Sequence, residues 1–134
     1  MSPDPFVHLH VASGYSLQYG ASHPHTLVER AAEQEMDTLA LTDRDGTYGA
    51  VKFVRACQAA GIRPVLGVDL ALKVEPEPEP ARKRRTPVRG GAFRDLPSDR
   101  GGPNRVRLLA HAGGPGGGAA GWAAICRLVS QVHL

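Results

Sequence analysis

The sequence predicts an α/β fold of parallel strands with helices outside them, the first part of a larger (β/α) barrel or sheet. Three observations carry this. Within the first 72 residues, short apolar runs of two-residue period alternate with segments whose apolar residues recur near every 3.6 positions. His10, Asp43 and Asp69, polar residues able to do chemistry, fall at or near the carboxyl ends of the strand-like runs, where such folds collect function. The pattern stops at Lys73 and resumes at Arg105.

The first strand is FVHLHV, Phe6 to Val11, with Phe6, His8 and His10 on one face and Val7, Leu9 and Val11 on the other. A turn-rich stretch leads to a helix from about Pro24 to Met36. Leu27, Val28, Ala31, Ala32 and Met36 keep its period, Thr26 and Glu29 have capping-box spacing, and the start lies at Ser22 or Thr26. TLALT, Thr38 to Thr42, is a short buried strand. A second helix runs from about Tyr48 to Ala60, with Val51, Val54, Cys57 and Phe53 as its apolar stripe and Gly61 as its stop. PVLGVDLAL, Pro64 to Leu72, is the third strand. Two consecutive crossover connections follow, hence parallel strands, and residues 1–72 form a βαβαβ unit.

Residues 73–104 combine a Glu-Pro repeat, an RKRR cluster and paired glycines. They bury too little apolar surface to repay ordering, so they are expected to be a flexible Pro/Arg/Gly-rich insertion. Residues 105–134 take up the pattern again. RVRLLAHA is a further strand, GGPGGGAAG a flexible turn, and WAAICRLVSQV a helix with Ile125, Leu128, Val129 and Val132 inward. The chain ends in that helix, so a truncated piece of a larger barrel or sheet, with an open strand edge, is expected.

At 134 residues the chain is one domain or part of one. Gly and Pro account for 27 positions, but 42% apolar residues exclude uniform disorder. No run of about 18 apolar residues exists for a membrane span, and the opening MSPDPFVHLH lacks the layout of a signal peptide. Cys57 and Cys126 sit in helical segments, as reduced core residues would, which fits a cytoplasmic protein. The net charge of +3 is unevenly spread: residues 1–72 carry 5 Lys/Arg against 8 Asp/Glu, residues 73–104 carry 8 against 5, and residues 105–134 carry 3 against none. A basic arm centred on Lys83 to Arg85 is therefore one functional reading, through DNA phosphates; a solvated linker is the other.

Among the motifs, His8 and His10 form an HLH pair that can share an ion, or else two histidines on a half-buried strand. LTDRD places Asp43 and Asp45 where a strand becomes a loop, with Asp45 suited to capping the next helix. Asp69 interrupts an apolar strand and needs a partner or a metal. GGPGGGAAG lacks the following Lys-Ser or Lys-Thr of a phosphate loop.

Taken together, FVHLHVASGYSLQYGAS, ALTDRDGTYGAVKF, AGIRPVLGVDL and RVRLLA through WAAICRLVSQVH resemble, in order and spacing, the polymerase-and-histidinol-phosphatase (PHP) domain at the N-terminus of bacterial C-family DNA polymerases, the DNA polymerase III alpha subunits. The wording YGASHP, LTDRD and TPVRGGAF is most like the actinobacterial error-prone branch. The resemblance implies the first half of a PHP-type (β/α) barrel, interrupted by the Arg/Pro-rich insertion. It also implies a metal cluster in the barrel mouth, for which His8, His10, Asp43 and Asp69 match or approximate ligand positions. Other ligand positions hold Ala12, Tyr19, Arg44 and Arg105, and guanidiniums repel cations. The expected site is thus degenerate and metal-free, with Arg44 or Arg105 paired to Asp43 or Asp69. The implied role is non-catalytic support of DNA synthesis in repair or translesion replication, with the rest of the polymerase chain, and other replication or translesion subunits, as partners. DNA is contacted indirectly and no membrane is involved. Polymerase catalysis would use a palm absent from this chain. The alternative is a PHP-type phosphoesterase or proofreading nuclease using zinc or manganese at His8, His10, Asp43 and Asp69.

Overall fold

The computed structural model describes residues 6–72, 104–111 and 117–134. Residues 73–103 of the expected insertion, with its basic cluster, and residues 113–116 of the Gly-rich turn lie outside these residues.

Helix α1, Pro24–Glu33, begins with proline in its first turn after His23, one residue past the expected Ser22 and without a side-chain cap. It ends before Met36 because Glu35 turns left-handed (φ 57°), with Met36 N–H bonded to the Ala31 carbonyl and Glu35 N–H to the Ala32 carbonyl. Strand β1, Thr38–Arg44, and helix α2, Ala50–Ala60, follow. Gly61 (φ 71°) stops α2 as predicted. The buried stripe of α2 is Ala50, Phe53 and Cys57, while Val51 is 65% exposed. Val51 stands about 200° around the helix from Phe53, on the solvent side. Burial pushes the Cys57 thiol up to about pKa 11, so it is an inert core group; both cysteines are free.

Strand β2, Arg63–Ala71, pairs parallel with β1, Leu41 opposite Leu66 and Asp43 opposite Val68. Strand β3, Arg105–Leu109, pairs with β2 in the antiparallel sense, which corrects the expectation of parallel strands throughout. A parallel return requires a crossover, usually a helix, and the sequence between Lys73 and Asn104 has no helical periodicity. The Phe6–Val11 segment also departs from a regular strand. Ala40 N–H donates to the His8 carbonyl (3.1 Å) and Thr42 N–H to the Val11 carbonyl (2.8 Å), so two steps along β1 face three along the segment. One extra residue of this kind breaks the two-residue alternation.

Helix α3, Gly117–Val132, begins inside the stretch expected to be a turn. Gly121 explains part of this: a Cβ there would lie 2.7 Å from the His111 carbonyl oxygen, so glycine lets the helix approach the end of β3. Gly121→Ala should lower the melting temperature even though alanine favours helix by about 1 kcal/mol, because forcing the backbones apart costs about 1–3 kcal/mol. An unchanged melting temperature would contradict that approach. Ile125, Val129 and Val132 face inward as expected, with Trp122, but Leu128 is 38% exposed.

All three helices cover one face of the sheet. Leu39, Leu41 and Leu66 pack with Val28, Phe53 and Cys57; Val68, Leu70, Val106 and Leu108 pack with Ile125 and Trp122. The register puts Ala40, Thr42, Arg44, Val65, Gly67, Asp69, Arg105 and Arg107 on the opposite face, the side that would line a barrel. No helix among the described residues is long and apolar enough to cross a membrane.

Candidate functional site

Successive strand residues point to opposite faces, and this separates the two buried aspartates. Asp43 stands opposite Val68 and shares the helix-covered side, whereas Asp69 stands opposite Arg44 on the other side. The four residues expected to be metal-ligand remnants therefore do not form one cluster.

Asp43, 2% exposed, is enclosed by a loop. It accepts hydrogen bonds from the Ser13 backbone N–H (2.7 Å), the Ser13 hydroxyl (2.8 Å) and the Ser16 hydroxyl (2.8 Å). The Ser16 oxygen in turn accepts the Arg44 N–H (2.9 Å). A carboxylate so occupied by protein donors anchors the loop to the end of β1.

Asp69, 1% exposed, is the centre of the opposite face. Arg105 Nε donates to its Oδ1 at 2.9 Å, and an Arg105 terminal nitrogen donates to the Asp69 carbonyl at 2.6 Å and reaches Asp45 Oδ1 at 3.0 Å. Burial works against the Arg105 charge, but hydrogen bonds to Asp45 and Asp69 outweigh it and hold the guanidinium above its ordinary pKa. Around Asp69 Oδ2 stand His10 Nε2 (3.8 Å), Arg44 Nε (3.8 Å) and Arg107 Nε (3.9 Å), none within hydrogen-bonding reach. The Arg44 guanidinium lies 3.0 Å over the Tyr19 ring centroid, which fixes its plane. Tyr19 and Arg44, two positions where the resemblance led us to expect lost ligands, thus stack on one another.

His8 is exposed and makes an edge contact with Phe6, whereas His10 stands beside Asp69. Asp45 does not cap α2, whose N-cap is Gly49 with no side-chain bond. With φ 51° it turns back, accepting the Ala71 N–H (2.9 Å) and bridging to Arg105. Sequence reasoning missed Ser13, Ser16 and Arg107. The alternation in RVR places Arg107 on the face of Arg105 and was a usable signal; nothing local to Ser13 and Ser16 points to Asp43.

Among the described residues, no group of three or more His, Cys, Asp or Glu side chains converges to hold an ion. A cation at Asp69 would meet three guanidiniums, which cannot ligate and repel it. The residues present do not fit the metal cluster that the family's pattern implies.

Comparison with known proteins agrees with this lineage. The chain is 44% identical over 86 residues to an error-prone DNA polymerase of Nocardia farcinica, covering 64% of the chain and 7% of that protein. It is 48% identical over 69 residues to the error-prone DNA polymerase of Corynebacterium efficiens, covering 52% and 6%, and 40% identical over 68 residues to DNA polymerase III subunit alpha of Buchnera aphidicola, covering 51% and 6%. The chain thus spans only 6–7% of the length of these relatives. Among solved structures, a putative metal-dependent phosphoesterase of Bifidobacterium adolescentis aligns with a TM-score of 0.46 and 27% identity, over 52% of this chain and 24% of the other. The model of the PHP domain matches residues 8–134, nearly the whole chain, which therefore belongs to the PHP domain family.

Proposed function

We propose that this chain is the N-terminal PHP module of an error-prone, alpha-subunit-like DNA polymerase, and that it acts as a metal-free structural module supporting DNA synthesis in repair or translesion replication. In this reading residues 1–72 and 105–134 are parts of one domain and residues 73–104 an insertion within it. His8, His10, Asp43 and Asp69 are remnants of a dismantled metal site. The setting is cytoplasmic, the partner is the remainder of the polymerase chain, and other replication subunits and DNA are reached through it.

One observation carries the proposal. Asp69, a carboxylate on the barrel-lining face that approximates a family ligand, is bonded to Arg105 at 2.9 Å. A guanidinium supplies the compensating charge without metal, and its two further contacts, to the Asp69 carbonyl and Asp45, tie β3 to the β1 end of the sheet.

Elemental analysis of the purified chain, with calorimetric titration by zinc and manganese, tests this. No stoichiometric binding at micromolar affinity is expected. Uptake of two or more ions per chain, abolished by His10→Ala, would restore the phosphoesterase or nuclease reading.

A further inference from the structure

The helix-covered face of the sheet has a gap in its cover. The core beneath the helices is in two clusters, one around Phe53 and Cys57 and one around Val68 and Ile125. Between α2 and α3 a cleft of about 310 Å³ opens to solvent, lined by Ala50, Val51, Val54 and Arg55 of α2, Leu66 of β2 and Trp122 of α3. Strand β2 is the central strand, yet Leu66 on it is only half-buried. Val54 and Trp122 are half-buried too, and Val51 at the rim is mostly exposed. Apart from Arg55 the lining is apolar, and Trp and Arg together are the side chains that most often carry the energy of protein interfaces.

Charge and hydrogen bonding narrow the occupant. Helices α2 and α3 carry Lys52, Arg55 and Arg127 and no Asp or Glu. Neither the Arg55 guanidinium nor the Trp122 indole N–H has a hydrogen-bond or ion-pair partner among the described residues, and both groups can only donate. An occupant with apolar side chains flanked by carboxylates fills the cleft and accepts from both. A basic occupant is repelled, and a second copy of this face brings cation against cation. The walls are helices, whose backbone groups are bonded internally. An extended segment would find no open ladder there, whereas a helix needs none and can lie in the groove between two others.

We propose that the cleft between α2 and α3 is the docking site for an acidic amphipathic helix of a protein segment outside these 134 residues, its apolar side chains seated on Val54, Leu66 and Trp122 and a carboxylate accepting from Arg55. This does not depend on the polymerase reading. The cleft lies on the side of the sheet opposite Asp69 and Arg105, so the two can be altered separately.

The test is a fluorescence titration of the 134-residue chain at pH 7 and low salt, read by Trp122, its only tryptophan. The probes are a tryptophan-free helical peptide of about 15 residues, with leucine at every third or fourth position and glutamate on the flanks, and the same peptide with lysine for glutamate. Saturable binding of the acidic peptide with a blue shift of Trp122 is expected, and the lysine peptide should bind about tenfold or more weakly, since like charges across an interface are costly. Arg55→Glu should reverse that order. Val51→Asp, at a residue 65% exposed and so tolerant of change, should weaken the acidic peptide about tenfold without altering the melting curve in its absence. No saturable response, equal binding of the two peptides, or an order unchanged in Arg55→Glu would overturn the site. A dimer that Val51→Asp abolishes would give the cleft to a second copy, and a red shift of Trp122 on deletion of residues 75–80 would give it to the chain's own Glu-Pro repeat; either would overturn the proposed occupant.

Discussion

Arg105→Ala should destabilise the fold by about 3 kcal/mol, because it leaves the Asp69 carboxylate buried without its bonded partner. Asp69 is 1% exposed, and the Arg105 side chain itself is only 18% exposed, so solvent replaces little of the lost contact. Arg44 and Arg107, at 3.8 and 3.9 Å, retain part of the compensating charge, which places the cost toward the lower end for broken buried pairs. Urea unfolding measures it. The sign with pH is also fixed: a guanidinium held above its ordinary pKa contributes fully below that ordinary value and is lost only above it. The difference between parent and variant should therefore stay constant from neutral pH to about pH 10. A loss below about 1 kcal/mol, the range of exposed ion pairs, would mean that Arg105 is ornamental.

Asp43→Ala is expected to cost about 3 kcal/mol or more, for a different reason. Three donors converge on this carboxylate, and hydrogen bonds to charged groups contribute about 1.5–3 kcal/mol each without adding fully. Ser13 and Ser16 are buried, so their hydroxyls would be left unsatisfied. Amide exchange should quicken in the 13–20 loop, which bonds to itself through Ser16 N–H to the Ser13 carbonyl and Gly20 N–H to the Ser16 carbonyl. Asp43→Asn, which keeps an acceptor and can donate to the Ser13 hydroxyl, should recover a large part of the loss. Equal destabilisation by both substitutions would point to charge, not hydrogen bonding, as what Asp43 provides.

The parts of this fold that were legible in the sequence are those dictated by local physics. The runs at Thr38 and Pro64 became β1 and β2 within two residues because burial on both sides of the strand selects apolar side chains, and Gly61 ended α2 because a left-handed residue there is nearly free for glycine. What stayed hidden depends on relations between segments. The direction of β3 depends on how the chain returns to the sheet. The irregular pairing of Phe6–Val11 rests on a single extra residue, which leaves no trace in the HLH alternation of the sequence. Gly117 and Gly118 read as turn formers, yet they open α3, whose packing through Trp122 and Ile125 overrides propensity. At the site, the substitution of arginines for ligands pointed to a guanidinium pair. The sequence could not separate Asp43 from Asp69, because which face each occupies follows from the register of β1 on β2.

The claim that a guanidinium organises the barrel-lining face is tested most directly by a double-mutant cycle of Arg105→Ala and Asp69→Asn, read by urea unfolding in the presence of a chelator. With the pair intact at 2.9 Å, removal of either partner should cost stability and removal of both should cost less than the sum, with a coupling of about 2 kcal/mol. Additive losses, or a parent protein whose stability falls when the chelator is added, would contradict it.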